Sequence, residues 1–199
     1  MRRSMDWATR AMAAWMLVLS ACAGASDATP DGAVEDSDPS DAGREVEAAS
    51  FPQFPVATLT ACDGALLDLA SPPAPATWLV LTAGDCPSCK DQLPFVATFF
   101  ARWAPRGVRV VVVLGDDAEG SGHVTPAYCQ AFRADFGLPC PVTRDDGFAS
   151  LSAFAGTATP VQLVLDANLA VRATAAGWDE DFHPGWIERQ VRALVEGPP

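Results

Sequence analysis

The spacing of apolar residues along this chain changes period several times, and each change marks an element. Residues 51–55, Phe-Pro-Gln-Phe-Pro, begin the patterned part. Residues 57–59 and 65–69 flank Asp63-Gly64, a pair that favours a tight turn, so a small hairpin is expected there. A proline-rich connector over 71–76 leads into an apolar run at 77–81 with the character of a central strand. Helical spacing then takes over: Phe95, Val96, Phe99, Phe100 and Trp103 fall on one side of a helix that runs to about Trp103 and must be heavily buried. Pro94 is expected to bend it. Residues 108–114 form a β-branched run that fits a parallel strand covered on both faces.

The second half continues the alternation. An acidic, glycine-rich loop over 115–122 precedes Thr125-Pro126, a threonine N-cap with proline in the first turn, and a helix to about Phe136 that Gly137 ends. A short strand over 141–143 and a short helix over 147–154 come next. Residues 161–165 and 170–175 read as a strand pair about Asp166-Ala167-Asn168, and an amphipathic helix over 184–196 closes the fold. Strands and helices alternate first and a hairpin comes last, which predicts an α/β domain with a mixed central sheet, helices on both faces and a hairpin at its N-terminal end.

Composition changes the picture at the N-terminus. Residues 1–21 combine Arg2, Arg3 and Arg10 with an apolar stretch over 11–19 that is short for a membrane span, and so read as an export signal. Residues 23–50 hold Ala, Ser, Gly, Pro and eight acids against the single Arg44, with almost no large apolar side chains, and read as a disordered, self-repelling spacer. The folded domain is assigned to residues 51–199. With 25 acidic against 13 basic residues and a pI near 4.3, the chain lacks the basic face that a nucleic acid requires.

The candidate chemistry is Cys86-Pro87-Ser88-Cys89, placed where the strand hands over to the helix. Backbone N–H groups and the positive dipole end of a helix favour a thiolate on the first cysteine, the species that attacks disulfides. Cys89, one turn on, is the resolving thiol. Asp85 immediately before them either opposes the thiolate, which leans the site toward reduction, or is solvated and caps the helix. No second C-x-x-C or C-x-x-H completes a zinc site, and no cofactor or metal is expected.

These residues carry a resemblance to the thioredoxin-like superfamily, in its membrane-anchored extracytoplasmic thiol-disulfide oxidoreductase branch. The resemblance rests on the strand ending near Thr82, on Cys86-Pro87-Ser88-Cys89, on Pro94, and on Thr159-Pro160 before the strand at 161–166. It implies a cis proline at Pro160 packed beside the cysteines, and a substrate-binding role for Thr159 and Pro160 together with Pro87 and Ser88. The partners implied are protein thiols or disulfides. Gln92 stands where many cytochrome-maturation relatives carry glutamate, a departure that puts that specific role aside. Leu19-Ser20-Ala21-Cys22 resembles the bacterial lipoprotein box, which implies acylation of Cys22, attachment to a lipid bilayer, and a place in the cell envelope outside the cytoplasm. The competing class is a thioredoxin-like binding module, either a copper chaperone or a non-catalytic lipoprotein.

Three cysteines remain. A Cys129–Cys140 bridge would pin the helix ending at Gly137 to the next strand and leave Cys62 unpaired, whereas a Cys62–Cys140 bridge would leave Cys129 odd. Structural service is one reading for them and a second redox relay toward the surface the other.

Overall fold

The computed structural model describes residues 52–155 and 158–197. The expected export signal, the spacer and the acylated Cys22 therefore lie outside the described residues. Among the described residues the elements run β1 (Thr58–Ala61), β2 (Leu66–Asp68), β3 (Ala76–Ala83), α1 (Pro87–Trp103), β4 (Arg109–Asp116), α2 (Pro126–Asp135), β5 (Val142–Arg144), α3 (Ser152–Ala155), β6 (Val161–Asp166), β7 (Val171–Ala176) and α4 (His183–Glu196). The seven strands form one mixed sheet in the order β2-β1-β5-β4-β3-β6-β7. β3 runs parallel to β4 and β4 to β5, while β6 lies antiparallel to both β3 and β7.

β3 and β4 occupy the middle because they can be covered on both faces, and all eight residues of β3 are buried. Strand alternation sorts their side chains into two cores. Trp78, Val80, Val110, Val112 and Val164 pack on one side with Leu93, Val96, Phe99 and Trp103 of α1, Cys129 and Phe132 of α2, and Ile187 and Val191 of α4. Leu79, Leu81, Val111, Val113, Leu163 and Leu165 pack on the other with Phe54, Leu59, Phe148 and Leu151. Long helices thus cover one face. The second face is covered by the segment at Phe54 that precedes β1 and by the short helical turns that carry Phe148 and Leu151, which is the expected α/β architecture with unequal layers.

The hairpin forms about Asp63-Gly64, with the Ala65 N–H donating to Asp63 Oδ1 at 2.9 Å. Thr125 caps α2 by accepting from the Tyr128 N–H at 3.1 Å. The helix expected over 147–154 is broken in two, a 3₁₀ turn over Asp146–Phe148 and one α-turn at Ser152–Ala155. Gly147 and Phe148 adopt φ of 57° and 55°, left-handed values that no α-helix contains.

The pairing of the remaining cysteines corrects the expectation. Cys129 is bonded to Cys62, with Cα atoms 5.2 Å apart, and Cys140 is a free, fully buried thiol; neither Cys129–Cys140 nor Cys62–Cys140 forms. Cys62 directly follows β1, the hairpin strand that pairs with β5, and its N–H donates to the Val142 carbonyl at 3.2 Å. That pairing brings Cys62 under α2, a long-range proximity set by sheet order rather than by chain distance. The bridge ties the hairpin to α2 across 67 residues of sequence.

Candidate functional site

The site is built at the end of β3. Gly84 takes the turn out of the strand, its N–H donating to the Asp116 carbonyl at 3.1 Å. A Cβ at Gly84 would stand 2.1 Å from Tyr128 Oη and 2.7 Å from the Asp117 carbonyl carbon, so only glycine lets the loop after β4 back directly against this turn. Cys86 is the N-cap of α1, and its Sγ accepts from the Cys89 N–H at 3.2 Å. The cap is therefore Cys86 and not Asp85, whose side chain is exposed. Pro87 occupies the first helical turn, where a missing N–H costs nothing. Pro94 lies inside α1, which runs uninterrupted from Pro87 to Trp103.

Cys86 and Cys89 are joined as a disulfide, with Cα atoms 5.2 Å apart. Cys86 is partly exposed and Cys89 is completely buried, so an incoming sulfur meets Cys86 first. Around Cys86 Sγ stand Ser88 Oγ and the Thr159 carbonyl oxygen, each at 3.5 Å. The Thr159–Pro160 peptide is cis, and the Pro160 carbonyl accepts from the Gly177 N–H at 2.7 Å, joining this loop to the end of β7. The structure thus brings Cys86, Ser88, Cys89 and Thr159 into one place, with Pro160 buried beside Thr159 and Pro87 exposed between the cysteines.

The loop between β4 and α2 gives the site an acidic wall. Asp117 accepts from Ser121 Oγ at 2.6 Å and from the Ser121 N–H at 3.1 Å, and these bonds hold its carboxyl below the ordinary range. Asp116 Oδ1 accepts from the Gly122 N–H at 2.6 Å. Burial raises the Tyr128 hydroxyl above its usual value, and the nearby carboxylates of Asp117, Glu119, Asp85 and Asp116 raise it further. His123 is taken up by Asp146 at 2.5 Å, and His183 stacks on Trp178 with ring centroids 5.7 Å apart. Among the described residues no group of three or more His, Cys, Asp or Glu is placed to hold a metal ion. A cavity of about 720 Å³ lies away from this chemistry, between the hairpin turn and α2 beside Cys62.

Sequence reasoning missed a buried polar chain under the cysteines: Trp78 Nε1–H donates to Gln162 Oε1 at 3.0 Å, and Gln162 Nε2–H donates to Gln92 Oε1 at 2.6 Å. The signal was present, because Gln162 interrupts an apolar strand and Gln92 falls on the buried side of α1 with Leu93 and Val96.

No protein-family model matches this chain, and neither does any curated protein. Solved structures do. A putative thiol:disulfide interchange protein DsbE from Chlorobium tepidum superposes with a TM-score of 0.63 at 18% identity, over 73% of this chain and 97% of that one. An uncharacterised conserved protein from Geobacillus kaustophilus gives 0.64 at 22%, over 75% and 83%. A secreted Mycobacterium tuberculosis disulfide oxidoreductase homologous to Escherichia coli DsbE gives 0.54 at 17%, over 68% and 94%. The fold is thioredoxin-like. At these identities the likeness establishes the architecture alone.

Proposed function

We propose that this protein is a thiol-disulfide oxidoreductase that exchanges disulfides with protein substrates through Cys86 and Cys89. The observation that carries the reading is the pairing of a partly exposed Cys86 at the N-cap of α1 with a buried Cys89 one turn along. In the reducing direction, the Cys86 thiolate attacks a substrate disulfide, forms a mixed disulfide and releases one substrate thiolate. Cys89, as thiolate, then attacks Cys86 Sγ. The Cys86–Cys89 disulfide forms, the second substrate thiolate leaves, and the two protons lost by the cysteines end on the substrate sulfurs. Two electrons pass to the substrate, and a thiol donor must return them for turnover. Thr159 offers a backbone carbonyl beside Cys86, suited to a substrate N–H laid across the site.

The lean toward reduction rests on Asp85, whose carboxylate beside Cys86 disfavours the thiolate and hence the dithiol form. The lipoprotein-like Leu19-Ser20-Ala21-Cys22 supports an extracytoplasmic domain tethered by acyl chains, with residues 22–50 as spacer and 51–199 as the exchange domain. Among the described residues no helix is long and apolar enough to cross a membrane.

Insulin reduction with dithiothreitol as donor tests the activity. Turnover that disappears in Cys86→Ser supports it, and turnover equal in wild type and variant, or absent from both, ends it. Equilibration in graded glutathione buffers tests the direction: a potential near that of strong periplasmic oxidants overturns the reductase lean. Incorporation of labelled palmitate that Cys22→Ala abolishes tests the anchor.

A further inference from the structure

The polar chain beneath the cysteines has a direction imposed by its first member. An indole nitrogen can only donate, so Gln162 must present its oxygen to Trp78 and its NH₂ to Gln92. Gln92 must then accept with its oxygen, and its own NH₂ is left over. Trp78, Gln92 and Gln162 are all completely buried, and among the described residues Gln92 Nε2 has no hydrogen-bond partner. A buried donor without an acceptor costs about 1–3 kcal/mol. Gln92 lies one helical turn beyond Cys89, on the same buried side of α1, and its other neighbours on that side, Leu93, Val96 and Phe99, offer no acceptor. Thr82 points the same way. It alternates with Trp78 and Val80 onto the face covered by α1, is fully buried, and leaves its hydroxyl unpartnered at the end of β3 nearest the cysteines.

We propose that the Gln92 side-chain N–H is the donor that meets the Cys89 sulfur when the Cys86–Cys89 bond is reduced, with Gln162 and Trp78 as positioning residues that aim it. In the disulfide the Cys89 sulfur is bonded to Cys86 and is a weak, uncharged acceptor that the Gln92 amide does not meet; freed by reduction and ionised, it carries the negative charge that an unpartnered N–H can serve. The interaction exists in one redox form only, so it favours the dithiol and works against Asp85. It also assists the resolving step, since a completely buried sulfur would otherwise have to ionise without any donor. This inference rests on the exchange reading for the role of Cys89.

Side-chain amide spectra of the full chain, recorded in the disulfide and dithiol forms, test it without any substitution. Both Gln92 Nε2–H resonances are expected to shift on reduction, by more than the Trp78 Nε1–H resonance, and a Gln92 amide that stays in place overturns the proposal. The second arm is the Cys86/Cys89 equilibrium against glutathione in Gln92→Met, which matches the side-chain length. The constant is expected to move about tenfold toward the disulfide, the equivalent of one hydrogen bond to a charged group, or about 30 mV for this two-electron couple. Lost packing and the stranded Gln162 amide weigh on both redox forms alike, so a merely structural Gln92 leaves the constant unchanged and the proposal fails. Failure of the exchange reading shows as missing insulin turnover, which neither arm measures.

Discussion

Removing the Cys62–Cys129 bridge should be one of the costliest changes outside the site. The double substitution Cys62→Ala/Cys129→Ala deletes a link between residues 67 apart in sequence while leaving no stray thiol behind. In the chain-entropy treatment, closing a loop of that length in the unfolded chain corresponds to about 4 kcal/mol. Loss of two buried sulfurs acts in the same direction, since Cys129 is completely buried and Cys62 nearly so. Against a typical domain stability of about 5–15 kcal/mol this is a large fraction. The assay is guanidinium unfolding of both proteins with Cys86–Cys89 kept oxidised, comparing extrapolated free energies rather than midpoints alone. The unfolded variant chain is less constrained and more exposed, so its slope should also rise. A difference below about 1 kcal/mol, or peptide mapping of the native chain that recovers Cys140 in a disulfide, would refute the reasoning.

Three further outcomes follow from particular contacts. Gly84→Ala should destabilise the domain by about 1–3 kcal/mol and depress exchange, because its Cβ meets the Asp117 backbone as well as Tyr128; calorimetry in which Tyr128→Phe restores full stability would contradict this. Asp85→Asn should lower the Cys86 thiol pKa, since a neighbouring negative charge disfavours the thiolate; thiolate absorbance of the reduced protein that shows no change or a rise would count against it. Burial pushes the Cys140 thiol up to about 11 from an ordinary 9.0. The neutral thiol is the form the fold favours, so its contribution to stability is complete below pH 9.0 and is lost as pH rises to about 11. Denaturation midpoints of wild type and Cys140→Ala at pH 8 and pH 10.5 check this, and equal pH slopes would disprove it.

Several features were legible in the chain because they depend on neighbours in sequence. The D-G hairpin at Asp63-Gly64, the Thr125 cap, the β-branched run of β4 and the helix after Cys89 each follow from local conformational preference and the period of apolar residues. The C-x-x-C at a strand-helix junction belongs with them, since both cysteines sit in one turn.

What distant segments do to one another was not legible. Whether Cys129 bonds Cys62 or Cys140 turns on which strand lies beside β5, and the chain between Cys62 and Cys129, 67 positions apart, carries no record of sheet order. Gln92, Gln162 and Trp78 lie on three elements that meet only when α1 packs on the β3–β6 pair, so their hydrogen-bond direction exists only in the folded molecule. Local spacing determines which residues form helices, strands and the reactive turn. Tertiary packing decides which buried polar groups find partners, because burial withdraws water and leaves only what the neighbouring elements supply.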